Sequence, residues 1–319
     1  MGGNGIAFLS PMLSGVYPLS RMARDVTICD NEGTEVTFEN DLYPAFPFVW
    51  AGFAFYIGAM AAGGFGCLNY RLPVAMGAIF TQKVKETADK PSPPSIWSVC
   101  DSCHAPLGWR GVLPIVGWIA SRGRCQDCGS RVPAVYPIME FCTGLIAVVT
   151  LLVTMHPALV IVALWLVMIG WLDHDATWIP DGFTIPLGLS ALLASWFGII
   201  PVSLFMVILG AMMGGVMMFV SQYAHFRICE EENAIRLVPM GDVTLMAALG
   251  AWTGPLGAVV VSLVSALLMA VYVPLFCRGR DHDHGYPFGP TLCAAGLAGI
   301  IFESSSHQSL WDTFMSLVG

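Results

Sequence analysis

Two aspartates stand where apolar sequence meets polar sequence. Asp173 ends an apolar run in Trp171-Leu172-Asp173-His174-Asp175, and Asp242 opens another in Met240-Gly241-Asp242. Carboxylates at or inside membrane-length apolar segments are expensive, so they are functional candidates first. Two such acids on separate segments are the parts of a general acid/base pair, one ionised and one protonated. A second constellation is Cys100-Asp101-Ser102-Cys103 followed, after 21 residues, by Cys125-Gln126-Asp127-Cys128. Each CxxC sets two thiolates on one tight turn, and two such knuckles close the tetrahedral S4 site that structural zinc prefers. Two disulfides or a redox pair compete with that reading. Disulfides are disfavoured on the cytoplasmic side of a membrane, and a thioredoxin-like site uses one CxxC rather than two. Cys29, Cys67, Cys142, Cys229, Cys277 and Cys293 have no ligand spacing and read as small apolar fillers.

The elements that must position these groups are membrane helices. The chain has 319 residues, 56% hydrophobic and 11% charged, with a mean hydropathy of +0.70. Such a composition excludes an ordinary soluble domain and indicates a polytopic membrane protein. Apolar stretches near span length lie at about 44–66, 135–155, 158–172, 183–200, 202–221, 238–254, 256–276 and 287–302. Gly254-Pro255 is expected as one of the short turns between them. Gly210-Ala211-Met212-Met213-Gly214 spaces small residues for close helix–helix approach.

The charges are segregated. Residues 67–134 hold eight of the 14 basic residues, whereas residues 1–45 hold six acids against Arg21 and Arg24. By the positive-inside rule the loop is cytoplasmic and the arm external, and nothing in this pattern favours nucleic acid. The expected fold class is an all-α polytopic membrane protein of about eight transmembrane helices with a small zinc-ribbon-like cytoplasmic insertion. Its parts are an acidic external arm (1–45), a first helix (46–66), the cytoplasmic four-Cys zinc loop (67–134), a membrane core with the acid pair (135–302) and an interfacial tail (303–319). Asp175 and Asp181 read as supporting residues, and Asp281-His282-Asp283-His284 as a solvated loop.

Taken in order, these motifs resemble the type IV prepilin peptidases, also called prepilin leader peptidase/N-methyltransferases. Leu113-Pro114-Ile115-Val116-Gly117-Trp118 stands between the knuckles, and Val135-Tyr136-Pro137-Ile138-Met139-Glu140 follows them. The family's D-x-D-H-x-x-x-P-D is matched by Asp173-His174-Asp175 and Pro180-Asp181. Its G-x-G-D-x-K-L is matched by Pro239-Met240-Gly241-Asp242-Val243-Thr244-Leu245, with Pro239 for the first Gly and Thr244 for the Lys. Pro287-Phe288-Gly289-Pro290 closes the resemblance, which runs from about residue 50 to 302.

The resemblance implies a membrane aspartic endopeptidase of the bacterial inner membrane, with Asp173 and Asp242 as catalytic acids. It implies prepilin or pseudopilin substrates of type IV pilus or type II secretion systems, cut after a Gly at the cytoplasmic edge of their apolar helix. Structural Zn2+ is expected on Cys100, Cys103, Cys125 and Cys128. Family members commonly methylate the new N-terminus, so S-adenosylmethionine is the cofactor expected if this chain shares that activity. The alternative from another class is a transporter with a regulatory zinc domain, using the two aspartates as a proton relay.

Overall fold

The computed structural model describes residues 27–29, 35–37, 47–75, 100, 102–103, 105, 113–228, 238–277 and 286–305. The helices are α1 (Pro47–Ala75), α2 (Val116–Ala120), α3 (Val135–Thr154), α4 (Pro157–Ala176), α5 (Asp181–Trp196), α6 (Leu204–Ile228), α7 (Met240–Phe276) and α8 (Gly289–Ser305). Strands β1 (Thr27–Cys29) and β2 (Glu35–Thr37) pair antiparallel within the N-terminal arm. Thr27, Ile28, Val36 and Thr37 are β-branched and suit such a ladder. The purely helical expectation therefore holds for the apolar part of the chain and not for that arm. The remaining expectations for residues 1–45, the tail beyond Ser305 and the Asp281–His284 loop lie outside the described residues.

Among the described residues, five helices are long and apolar enough to cross a membrane: α1, α3, α4, α6 and α7. By that measure the expected count of eight spans is not reached. Two helices fall short in length, α5 with 16 residues and α8 with 17. The 37-residue α7 is two arms rather than one rod. Gly254, at φ 71 and ψ −178, breaks it just before Pro255. The Ser262 hydroxyl lies 3.7 Å from the Met246 sulfur, whereas 16 residues of straight helix would separate them by about 24 Å. The chain thus reverses at the expected Gly254-Pro255 turn. A side chain with a Cβ strongly resists the positive φ adopted there.

The first arm packs on α6, whose small residues let the backbones touch. A Cβ on Gly210 would lie 2.1 Å from the Gly250 carbonyl oxygen, and one on Gly214 2.6 Å from that of Met246. The close packing expected from the glycine spacing is what the helices show. The main apolar core joins α4, α5, α6, α7 and α8, with Leu166, Ile169, Leu245, Leu249 and Leu292 almost wholly buried. A smaller one joins α1, α3 and α4 through Ala54, Ala147, Leu151 and Val160. Within the main core Trp252 Nε1 donates to the Leu187 carbonyl at 2.9 Å, fixing α5 on the first arm of α7.

Candidate active site

Asp173 sits in the last turn of α4, and its side chain is buried. The turn closes on Thr177, whose amide bonds back to the Asp173 carbonyl in a left-handed cap. Asp242 sits in the first turn of α7 and is also buried. The two carboxylates are within Coulomb range of each other, and the buried thiol of Cys293 on α8 is within range of both. The structure thus brings near each other two aspartates that lie 69 residues apart in the sequence (242 − 173).

Each acid is held by a partner outside its own helix. The Gly289 amide donates to Asp173 Oδ2 at 2.8 Å. Gly289 begins α8, so this amide is one of the helix N–H groups that has no partner within the helix. A Cβ at Gly289 would stand 2.7 Å from that same oxygen, so the contact requires glycine. On the other side Gln222 Nε2, from α6, donates to Asp242 Oδ2 at 3.4 Å. Gly241 lies against the connector before α5, where a Cβ would meet the Ile179 carbonyl oxygen at 2.7 Å. Glycine beside Asp242 thus permits the close approach that seats the α7 terminus.

The other acids of the first motif have structural partners. Asp175 accepts from Trp171 Nε1 at 3.1 Å on its own helix. Thr244 Oγ1 lies 3.0 Å from Asp181 Oδ1, to which it donates, and Thr184 Oγ1 donates to Thr244 Oγ1 at 2.9 Å. Asp181 therefore clamps the turn that carries Asp242, through a hydroxyl where the family motif has Lys. His174 bonds the Tyr272 hydroxyl on the second arm of α7. The sequence assigned no role to Gln222 or Gly289 and read Cys293 as a small apolar filler. Only Gly289 carried a signal, as part of the Pro287–Pro290 motif.

The four cysteines form a separate centre. Their Sγ atoms all lie within 4.8 Å of one another. Across the knuckles, Cys100 Sγ is 3.8 Å from Cys128 Sγ, and Cys103 Sγ is 3.8 Å from Cys125 Sγ. Zn–S bonds of about 2.3 Å put the edge of a tetrahedron at about 3.8 Å, so the donor set fits a tetrahedral metal ion. The same separations exclude a disulfide in these pairs, since S–S bonds are about 2.05 Å long. The Ser130 hydroxyl, 3.4 Å from the Cys100 sulfur, draws that thiol down to about 6. It also lowers Cys128, 3.1 Å away. Both sulfurs thus favour the thiolate form that binds metal, whereas desolvation and the neighbouring sulfurs leave Cys103 raised. The second knuckle is braced by the Cys125 amide on the Ser130 carbonyl and by an Arg124–Arg131 bridge.

Comparison with known proteins places both centres in one family. Residues 57–154, which include the cysteines, match the Bacterial Peptidase A24 N-terminal domain. Residues 160–274, which include both aspartates, match the Type IV leader peptidase family. A "Type 4 prepilin-like proteins leader peptide-processing enzyme" of Escherichia coli O78:H11 is 30% identical over 211 residues, 65% of this chain and 76% of that protein. A "Prepilin leader peptidase/N-methyltransferase" of Klebsiella pneumoniae is 32% identical over 213 residues, 66% of this chain and 87% of its own length. One of the same name from Aeromonas salmonicida is 27% identical over 293 residues, 86% of this chain and 98% of that protein. No solved structure matches. None of these relatives is a transporter, and the proton-relay alternative finds no support. With its acid pair, its four-Cys centre and relatives that align across both, this multi-pass membrane protein belongs to the type IV prepilin leader peptidase family.

Proposed function

We propose that the chain is an aspartic endopeptidase of the bacterial inner membrane that removes the leader peptide of prepilins or pseudopilins. The observation that carries this reading is the burial of Asp173 and Asp242, each at a helix end, within Coulomb range of one another. Two such carboxylates cannot both ionise cheaply, so the pair shares one proton. Oδ2 of each acid already accepts a hydrogen bond, from Gly289 or from Gln222. The shared proton and the scissile carbonyl are met by the carboxylate oxygens of this pair. The ionised member removes a proton from water, and the protonated member polarises the scissile carbonyl and later protonates the leaving amine. The titration belongs to the pair and not to either residue.

The basic loop 67–134 is the cytoplasmic one in this reading, which puts the acids on the side where unprocessed prepilins wait. Cys100, Cys103, Cys125 and Cys128 hold structural zinc, which supplies folding energy that so short an insertion lacks. Several relatives are named N-methyltransferases, and methylation of the new N-terminus from S-adenosylmethionine is the second activity proposed. The test is a purified prepilin incubated with the purified protein in detergent, with and without S-adenosylmethionine. Mass spectrometry should show cleavage after a Gly, and one added methyl group only with the cofactor. An intact prepilin would overturn the peptidase reading, and a cleaved but unmethylated product the second activity.

A further inference from the structure

The short helix α2 lies beside the membrane part of the protein and not beyond its end. Ile115, Trp118 and Ile119 line one side of an apolar groove of about 400 Å3, and Ala134, Pro137, Ile138 and Phe141 line the other. The second set belongs to the first two turns of α3 and the residue before them. That helix has 20 residues, which at about 1.5 Å per residue only just spans about 30 Å of hydrocarbon. Its first turns are therefore needed at the edge of the bilayer slab, and α2 packs beside them. A fixed contact keeps it there. The Ile115 amide donates to Glu140 Oε2 at 2.6 Å, tying the start of α2 to a carboxylate inside α3.

The exposed face of this unit is apolar and then basic. Val116 and Ile119 on α2 are exposed, and so are Val135, Ile138, Phe141 and Leu145 along α3. The apolar surface of α2 thus continues the lipid-facing surface of a membrane span. Trp118 Nε1 donates to the Val132 carbonyl at 3.1 Å, which joins the groove to the chain that carries the arginines. Arg122, Arg124 and Arg131 are exposed, and none has a carboxylate partner among the described residues. Arg124 and Arg131 are antiparallel bridge partners. Like charges set opposite each other in this way are destabilising unless an anion lies between them.

We propose that α2 and the arginines behind it form a binding surface for an anionic phospholipid. One acyl chain lies in the groove between α2 and α3, and the phosphate sits against Arg124 and Arg131, with Arg122 alongside. Membrane-level apolar surface flanked by unpaired basic residues is the pattern that interfacial helices use on anionic leaflets. A folded protein partner would have to displace lipid from a surface continuous with a span. The consequence is that the four-Cys ribbon is pinned to the membrane surface. This inference does not rest on the peptidase reading.

The experiment uses the full chain in nanodiscs with a photocrosslinking amino acid at Ile119, and at Gln126 as the exposed control. With phosphatidylglycerol discs, position 119 should give phospholipid adducts and position 126 should not. Arg124→Gln and Arg131→Gln should each reduce the adduct yield about fivefold, and phosphatidylcholine discs should give the low yield without any mutation. Retained zinc in the arginine variants shows that the ribbon is still folded. Adducts at position 119 that are protein, whether a second copy or a prepilin, would overturn the proposal. So would yields equal to those at position 126, or equal in the two lipids.

Discussion

The amide of Gly289 donates to Oδ2 of Asp173 across 116 residues of sequence, at 2.8 Å. This contact lets the start of α8 fix the orientation of an acid on α4. Gly289→Ala would put a methyl carbon 2.7 Å from that oxygen, so the carboxylate must turn away or α8 must shift. The expected outcome is a loss of prepilin cleavage of about 100-fold, as displacements near 1 Å at a reacting group produce. Expression and membrane insertion should be unchanged. An alanine variant with normal cleavage kinetics would show that the contact does not orient Asp173.

The clamp on the other acid runs through Thr244. Its hydroxyl joins Asp181 and Thr184, two residues along from Asp242. Thr244→Val keeps the shape and removes the donor, and one such hydrogen bond is worth about 1 kcal/mol, or about fivefold in rate if fully used in orientation. Thr244→Ser should retain activity, and the double variant Asp181→Ala/Thr244→Val should be no slower than the slower of the two single variants. Steady-state kinetics on all four proteins measures this. Additive losses would mean that the two residues act separately.

The four sulfurs are spaced for a metal, and the zinc proposed there would couple the fold around them to its binding. Purified protein should hold about one zinc per chain. Replacing Cys100 and Cys128 together with Ser should release it and open the 67–134 loop to protease, because metal binding and folding are coupled. Metal analysis by mass spectrometry, with limited proteolysis on the same samples, checks both. Metal-free protein with a protease-resistant loop would contradict the assignment.

Much of this arrangement was legible because membrane sequence leaves few options. Acids in apolar runs, paired CxxC turns and a Gly-Pro between apolar stretches each have a short list of meanings, and Asp173, Asp242, the cysteines and the Gly254 reversal followed from them. The span count was less legible. Helices α5 and α8 are too short to pass as spans by length and composition, and α7 passes as a single helix although it reverses. The partners of the acids were not legible. Gln222 is one polar residue near the end of α6, and the role of Gly289 is set by its amide, which every residue but Pro possesses. The position of α2 beside α3 is fixed in part by a hydrogen bond from Ile115 to Glu140, and no periodicity announces such a contact.

The most direct test of the central claim is cleavage of a purified prepilin by Asp173→Asn and Asp242→Asn protein in proteoliposomes. Asn keeps the volume and an acceptor oxygen for Gly289 or Gln222, while it removes the exchangeable proton that the pair must share. Both variants should insert normally and show no detectable cleavage, with loss in either one nearly as complete as in the double variant. Cleavage at the wild-type rate by either single variant would contradict the account.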